Sequence, residues 1–383
     1  MKTTYILLFC IMSLLGYGQT ATVTTILNDP TADVDDALAL DSQGNLYGSN
    51  FAGDTVYKIT PSGDVSPFVS GLSNPNGLAF DSNDNLYVVE YSGGAIHKYD
   101  IDGNLLQTFP VGGFPSGLVS AYHSDSVIFT TADFADVGNN GVFELKPDGT
   151  VTTLYQGAPL SLPVGLTYGP SGVLYIGDYL TREIYRIPKK GGLEYVATVP
   201  APANFVPFLA FITYSQGFLY GTVYGENKIY KINPRKTDDV EIYSGSTFGN
   251  MDGDISEATY AFPAGILANQ SGNTLYISEF SGIGNIRKIT RGNGNGNMPS
   301  TGSVVVFPNP ATNSIQIRMN QIELGDYSLK VYNFFGVQVY EGQTNSEDGT
   351  LQDTISLIGW KTGIYEVIIS NGNHRYSKKI IVR

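Results

Sequence analysis

Over residues 77–100, GLAFDSNDNLYVVEYSGGAIHKYD, apolar and polar positions alternate, and two turns rich in Gly, Asn, Asp and Ser interrupt the alternation. A period of two places successive side chains on opposite faces of an extended chain. The stretch therefore predicts three short antiparallel strands joined by tight turns. The pattern recurs. Leu-Tyr pairs stand at 46–47, 86–87, 174–175, 219–220 and 275–276, with Ile128-Phe129 as a degenerate copy. A second alternating segment follows each: TVYKIT (55–60), AIHKYD (95–100), GVFELK (141–146), EIYRIP (183–188), KIYKIN (228–233) and NIRKIT (285–290). Each copy opens with a strand such as GLAFD, GLTYG or GILAN, and the copies repeat every 40 to 56 residues.

Six copies of three or four strands predict a β-propeller. A flat sheet of so many strands would twist and present bare edges, whereas a radial arrangement hides them. The sixth copy runs out at Thr290, where RGNGNGNMPSTG reads as a flexible linker. That copy lacks an outer strand. The segment ATVTTIL (21–27) is rich in β-branched residues, belongs to no complete copy and is expected to pair with the sixth blade and close the ring.

Beyond the linker, VVVFPNPATNSIQIRM (304–319), YSLKVYNFFGVQVYEG (327–342) and GIYEVIISNGNHRYSKKIIVR (363–383) alternate again, with hairpin turns expected at Phe335-Gly336 and Asn371-Gly372. These segments predict a small β-sandwich. The fold class expected is all-β, a six-bladed β-propeller plus a small C-terminal β-sandwich. The expected boundaries are 1–19 for a signal peptide, 20–290 for the propeller, 291–303 for the linker and 304–383 for the last domain. The N-terminal reading rests on Lys2, an apolar run from Tyr5 to Leu15 and the small residues Gly16 and Gly18. A lipoprotein signal built on Cys10 is the rival, but Cys10 sits inside the apolar run rather than at its end. Cys10 is the single cysteine, so a processed chain would hold no disulfide and no cysteine–metal site.

Charge divides with the domains. The chain carries a net charge of −13, while residues 304–383 hold seven basic and seven acidic side chains. The excess belongs to the propeller. Such a surface argues against nucleic acid and anionic membranes as partners and suits cations, neutral sugars or basic peptides.

NPNGLAFDSNDNLYVVEYSGGAIHKYD and DGDISEATYAFPAGILANQSGNTLYISEFSGIGNIRKIT resemble the NHL-repeat and gluconolactonase/regucalcin-like (SMP-30-like) six-bladed propellers, over roughly residues 21–290. The resemblance implies the fold and leaves hydrolase, lyase and binding module open. The opening Phe-Pro-Asn-Pro-Ala, the Tyr-Asn-Phe-Phe-Gly turn, Gly363-Ile364-Tyr365 and the terminal Lys378-Lys379-Ile380-Ile381-Val382 resemble a type IX secretion system (type A) C-terminal sorting domain. This implies a Bacteroidota host, the type IX machinery and a sorting protease as partners, and a product released or attached to the outer-membrane surface. A carbohydrate-binding or adhesive sandwich is the alternative. The tail has only Trp360 and no aromatic row for a sugar platform.

Propeller ligands bind where loops of all the blades converge. Alignment of the copies gives two candidate rings. One precedes the opening strand: Asp36, Asn76, Ser116, Val164, Phe208 and Ala264. The other follows Leu-Tyr: Asn50, Glu90, Ala132, Asp178, Val223 and Glu279. Convergence would place Asn50, Glu90, Asp178 and Glu279 at the channel mouth, with Asp36, Asn76 and Glu90 as candidate ligands for Ca²⁺ or another divalent cation. Repelling carboxylates there would alternatively suit acid–base work, and plain solvated strand ends are the third reading. The gluconolactonase resemblance implies a cation held by an early acid, an Asn turn and an Asp turn. Asp36 and Asn76-Gly77 match the first two. Val164-Gly165 and Ala264-Gly265 stand where the Asp turn belongs, which argues against lactonase activity.

Other motifs carry less. In DSNDN (81–85), Leu86 stands where a calcium loop needs Gly, so an ordinary turn is expected. Asp252 and Asp254 in MDGDISE are calcium candidates or loop residues. His97, His123 and His374 share no ligand spacing, and His97 is expected to pack. The expected protein is a secreted, monomeric binding or scaffold module for an unidentified small molecule, glycan or protein. The alternative is a metal-dependent hydrolase or lyase acting on a sugar, lactone or related compound.

Overall fold

The computed structural model describes residues 21–122, 124–202, 207–282, 284–291, 304–320, 325–333, 337–346, 350–371 and 375–383. The expected signal peptide, His123, most of the linker and both expected turn pairs of the last domain, wholly or in part, lie outside these residues. The described chain forms two compact units.

The first unit, ending at Arg291, holds six sheets in sequence order. Blades 1 to 5 have four strands each, and their innermost strands are Leu38–Leu40, Pro75–Phe80, Pro115–Ser120, Pro163–Tyr168 and Phe208–Ser215. Blade 6 is built from Pro263–Ala268, Thr274–Glu279 and Asn285–Arg291, and the N-terminal strand Ala21–Asn28 pairs antiparallel with the last of these. The ring is thus closed by the start of the chain, with the two-residue strand Gly253–Asp254 outside it.

The Leu-Tyr repeat has a packing cause. Alternate side chains of the second strand face opposite neighbours, so Leu86 packs between blades 1 and 2 and Tyr87 between blades 2 and 3. Leu174 and Tyr175 divide in the same way between the clusters on either side of blade 4. Each interblade cluster is a small apolar core, and the propeller has one between every adjacent pair of blades. Blade 3 corrects the alignment. Val119 pairs with Ile128 as Ala79 pairs with Tyr87, so Val127-Ile128, not Ile128-Phe129, matches the Leu-Tyr pair.

The inner strands crowd at the axis. A Cβ on Gly117 would lie 1.7 Å from the Val164 carbonyl oxygen of the next blade, and one on Gly265 would lie 2.0 Å from that of Asp36. Glycine at these positions is what lets adjacent blades touch backbone to backbone.

The second unit is a sandwich. One sheet orders Val305–Phe307, Ser314–Asn320 and Thr350–Ser356; the other orders Gln338–Ser346, Gly325–Asn333, Gly363–Ser370 and Arg375–Val382. The strand Thr350–Ser356 was not expected from its mixed sequence, TLQDTIS. The last two strands pair from Gly363 opposite Val382 to Ser370 opposite Arg375. Ile315, Ile317, Leu329, Val331, Val367 and Ile369 fill the space between the sheets.

Candidate functional site

At the start of the inner strands the ladder slips. Register shifts fall between Pro75 and Leu78, Pro115 and Leu118, Leu209 and Ile212, and Pro263 and Ile266. Such bulges re-aim side chains, and in these blades they turn Asn76, Ser116, Ala210 and Ala264 into the axis, where Asp36 and Val164 complete a ring of one residue per blade. Five of these six are the first ring expected from the sequence. In blade 5 the ring residue is Ala210, not Phe208, because the bulge there lies two residues further along. The floor is thus polar over blades 1 to 3 and apolar over blades 4 to 6.

Hydroxyl groups from the second strands fix the floor. Thr130 Oγ1 accepts the Gly117 amide at 2.9 Å and Ser278 Oγ accepts the Gly265 amide at 2.8 Å. The Ser278 hydroxyl donates onward to the Asp36 carbonyl at 2.5 Å, which joins blade 6 to blade 1.

Phe211 stands where the other blades carry Ala37, Gly77, Gly117, Gly165 and Gly265. Its ring packs with clusters of blades 1–2, 3–4 and 5–6 at once. It therefore sits across the axis, bounding a chamber above it and another below.

The upper chamber has a volume of about 220 Å³. Its wall is aromatic: Phe51, Tyr91, Phe134, Tyr179, Tyr224 and Phe280. The rings brace one another and their neighbours, Phe51 edge-on to Tyr91 with centroids 5.4 Å apart and Tyr179 stacked on Phe208 at 4.5 Å. Tyr91 spends its hydroxyl on the Ala132 carbonyl at 3.0 Å.

The second expected ring does not converge. Asn50, Glu90, Asp178 and Glu279 do not line the chamber; the residue after each of them does. A one-residue step along a strand moves the side chain to the other face. Ala132 lines it because the corrected register of blade 3 makes it the counterpart of Tyr91. The carboxylates turn back onto the backbone. Asp178 is fully buried and accepts the amides of Ser161, Leu162, Leu180 and Thr181 at 2.7 to 3.2 Å. Glu90 accepts the Ser73 amide at 2.9 Å and pairs with His97 Nε2 at 3.0 Å. Burial pulls the Glu90 carboxyl upward, but the His97 and Ser73 hydrogen bonds hold it below its ordinary value. Glu279 accepts the Ala261 amide and meets Arg287, both at 3.1 Å, and takes a hydrogen bond from Asn285 at 2.9 Å. Asn50 Oδ1 is buried without a partner among the described residues. The sequence carried a signal for the true wall in the aromatic that follows Asn50, Glu90, Asp178, Val223 and Glu279.

Of the expected cation ligands, Asp36 and Asn76 line the chamber and Glu90 does not. No three His, Cys, Asp or Glu side chains come together as a metal-ligand set among the described residues. Asp252 holds Thr25 and Arg287, and Asp254 holds Ser256. Asp81 closes its own turn on Asn83 and Asn85 and pairs with Lys98 at 2.9 Å.

The Asp36 side chain is the chamber's charged group. It is 9% exposed and makes no hydrogen bond or ion pair with the described residues. Burial, and then the neighbouring Asp35, push its carboxyl well above the ordinary value. Asp35 accepts the Phe51 and Ala52 amides, yet burial still moves it to about 7. Across the axis the Tyr179 hydroxyl rises to about 12, first by burial, then by Tyr224 and Asp36.

Residues 305–383 match the secretion system C-terminal sorting domain family. This tail directs the chain through type IX secretion, so the protein is exported and either held at the cell surface or released. No curated protein matches the sequence. The first unit has the fold of gluconolactonase/NHL-like propellers. A gluconolactonase from Xanthomonas campestris aligns at TM-score 0.54 and 18% identity, covering 71% of this chain and 90% of that one. An auxiliary nutrient binding protein from Bacteroides ovatus aligns at TM-score 0.58 and 15% identity, over 72% and 78%. A Bacteroides thetaiotaomicron protein of unknown function aligns at TM-score 0.58 and 18% identity, over 72% and 76%. At these identities the likeness is one of fold.

Proposed function

We propose that this exported chain works outside the cell as a binding protein, holding a small ligand in the aromatic chamber at the mouth of its propeller. The observation that carries the reading is the chamber's composition. Six rings wall it, three polar side chains occupy one half of its floor, and Glu90, Asp178 and Glu279 are spent outside it on backbone amides and on Arg287 or His97, which leaves Asp36 as its one acid among the described residues. Apolar walls with a few convergent polar groups are what small-molecule sites use for affinity and orientation. The nutrient-binding neighbour from Bacteroides ovatus supports the same reading at the level of fold.

The metal-dependent hydrolase reading has Asp36 and Asn76 in place. Its further ligand is missing, because Val164 and Ala264 complete the floor with hydrocarbon. Titration calorimetry of the secreted full-length protein against sugars, lactones and aromatic compounds, with and without CaCl₂, tests the choice. Saturable, calcium-independent binding that Tyr179→Ala weakens at least tenfold is expected. Calcium-dependent turnover of a lactone, lost in Asp36→Asn, would replace this reading with the hydrolase.

A further inference from the structure

We infer that the chamber's ligand presents a protonated primary amine on an apolar body. The inference rests on the chamber being the binding site and adds the chemistry of what it binds. Asp36 lies in the floor, nine-tenths buried and without a partner among the described residues. Among the described residues, no Lys, Arg or His lines the chamber with it. An isolated buried carboxylate is costly, and a partner of opposite charge offsets the cost when it also makes hydrogen bonds. The described residues supply none, so the partner arrives with the ligand.

The surroundings select the kind of cation. Asn76 is 6% exposed, lines the same floor, and its Oδ1 has no hydrogen-bond partner among the described residues. A primary ammonium has three N–H donors, enough for both the Asp36 carboxylate and the Asn76 carbonyl. A trimethylammonium has none and would leave Asn76 unsatisfied. A calcium ion requires six to eight oxygen ligands, and a wall made of Phe51, Tyr91, Phe134, Tyr179, Tyr224 and Phe280 offers mostly carbon. The same rings attract an ammonium through their π faces and hold an apolar or aromatic body. Asp35, directly behind Asp36, adds negative potential but has its oxygens on the Phe51 and Ala52 amides. The chain's net charge of −13 favours the approach of cations.

The test is calorimetry of the secreted full-length protein with four probes: 2-phenylethylamine hydrochloride, its N,N,N-trimethyl analogue, 2-phenylethanol and CaCl₂. The amine is expected to bind at least tenfold more tightly than the alcohol and than the trimethyl analogue. In Asp36→Asn the preference over the alcohol should fall to about twofold or less. The preference is read in the wild type, so it does not depend on the variant folding. Equal binding of amine and alcohol overturns the amine inference and leaves the chamber a binding site. Equal binding of amine and trimethyl analogue overturns the role given to Asn76 and with it the primary amine. Displacement of the amine by calcium at equimolar concentration replaces the organic cation with a metal. Failure of every organic probe, together with failure of the sugar and lactone panel, removes the binding reading itself.

Discussion

Glu279 Oε1 and Arg287 Nη1 meet at 3.1 Å with both side chains wholly buried in blade 6. The guanidinium also donates to the carbonyls of Thr259 and Met251 and to Asp252, and lies over the Tyr260 ring. Asp252 in turn holds the Thr25 amide and hydroxyl. One arginine therefore ties the second and third strands of the last blade to the loop before it and to the N-terminal strand. A buried pair of this kind adds little net stability over an apolar pair, but breaking it leaves a naked charge. Arg287→Met is expected to destabilise the propeller by about 3–5 kcal/mol. Urea unfolding followed by tyrosine fluorescence checks this. A loss under 1 kcal/mol would mean that Glu279 takes up a proton and needs no cation.

Asp35 and Asp36 give the stability a pH dependence of definite sign. Both carboxyls are raised in the folded state, chiefly by burial, Asp35 to about 7. The folded protein then holds protons that the unfolded chain has released. Their contribution is full below the ordinary aspartate range and is lost as pH climbs toward 7. Asp36→Asn removes one of the two raised groups and the repulsion between them. Its melting temperature should equal that of the wild type near pH 3.5 and exceed it by several degrees at pH 8, in the absence of ligand. A difference that shrinks as pH rises would contradict the assignment.

How far these relations were legible in the sequence depends on which face a residue uses. The blades were legible because Leu-Tyr and its partner strand recur in five copies with the alternation intact. Blade closure by ATVTTIL was legible because the sixth copy lacked a strand. The inner ring was legible for Asp36, Asn76, Ser116, Val164 and Ala264, since a small residue follows each. Two features have no local signature in the sequence. The face taken by Glu90, Asp178 and Glu279 depends on a bulge and on loop amides far away in sequence, such as Ser161 for Asp178. The plug at Phe211 is visible only once Ala210 is aligned to the bulge, because Phe-Leu-Ala-Phe reads as an ordinary buried strand.

Phe211 is the next test of that geometry. It contacts three interblade clusters and lines both chambers. Removing the ring should cost about 3–5 kcal/mol, the range for burying a phenylalanine-sized void. Phe211→Ala should also merge the two chambers, so that xenon or benzene, bound weakly by the wild type, stabilises the variant by several degrees. Phe211→Leu should recover more than half of the lost stability. If Phe211→Ala melts with the wild type, the ring does not plug the axis.

The sorting tail predicts where a truncated chain stops. Without residues 304–383 the propeller has no type IX address, and export should fail between the inner and outer membranes. Fractionation of cells expressing the truncated and full chains, read by an antibody to the propeller, checks this. The full chain should appear at the surface or in the medium and the truncated chain should remain within the envelope. Equal amounts of both in the medium would mean that the tail is not the export signal for this chain.

The N-terminal strand makes the most demanding prediction, because closure of the ring depends on it. Ala21–Asn28 pairs along its length with Asn285–Arg291 and, at Thr22 and Val23, with Gly253–Asp254. Val23 is fully buried and Leu27 nearly so, one in the cluster between blades 5 and 6 and the other between blades 6 and 1. Deleting residues 21–27 removes both side chains, each worth about 1.5–3 kcal/mol, together with the Thr25–Asp252 contacts. It also bares the edge of Asn285–Arg291, a strand with its own donors and acceptors and nothing to cover them. The deletion is therefore expected to lose at least about 3–6 kcal/mol and to associate at micromolar concentration. Val23→Ala is the milder partner, expected to cost about 1–3 kcal/mol while the protein stays monomeric, since the pairing of the strand is kept. Thermal melts and size-exclusion chromatography of the two variants separate the terms. If the deletion melts no lower than Val23→Ala and elutes as a monomer, the ring is held by its interblade cores alone and the strand is an ornament on its rim.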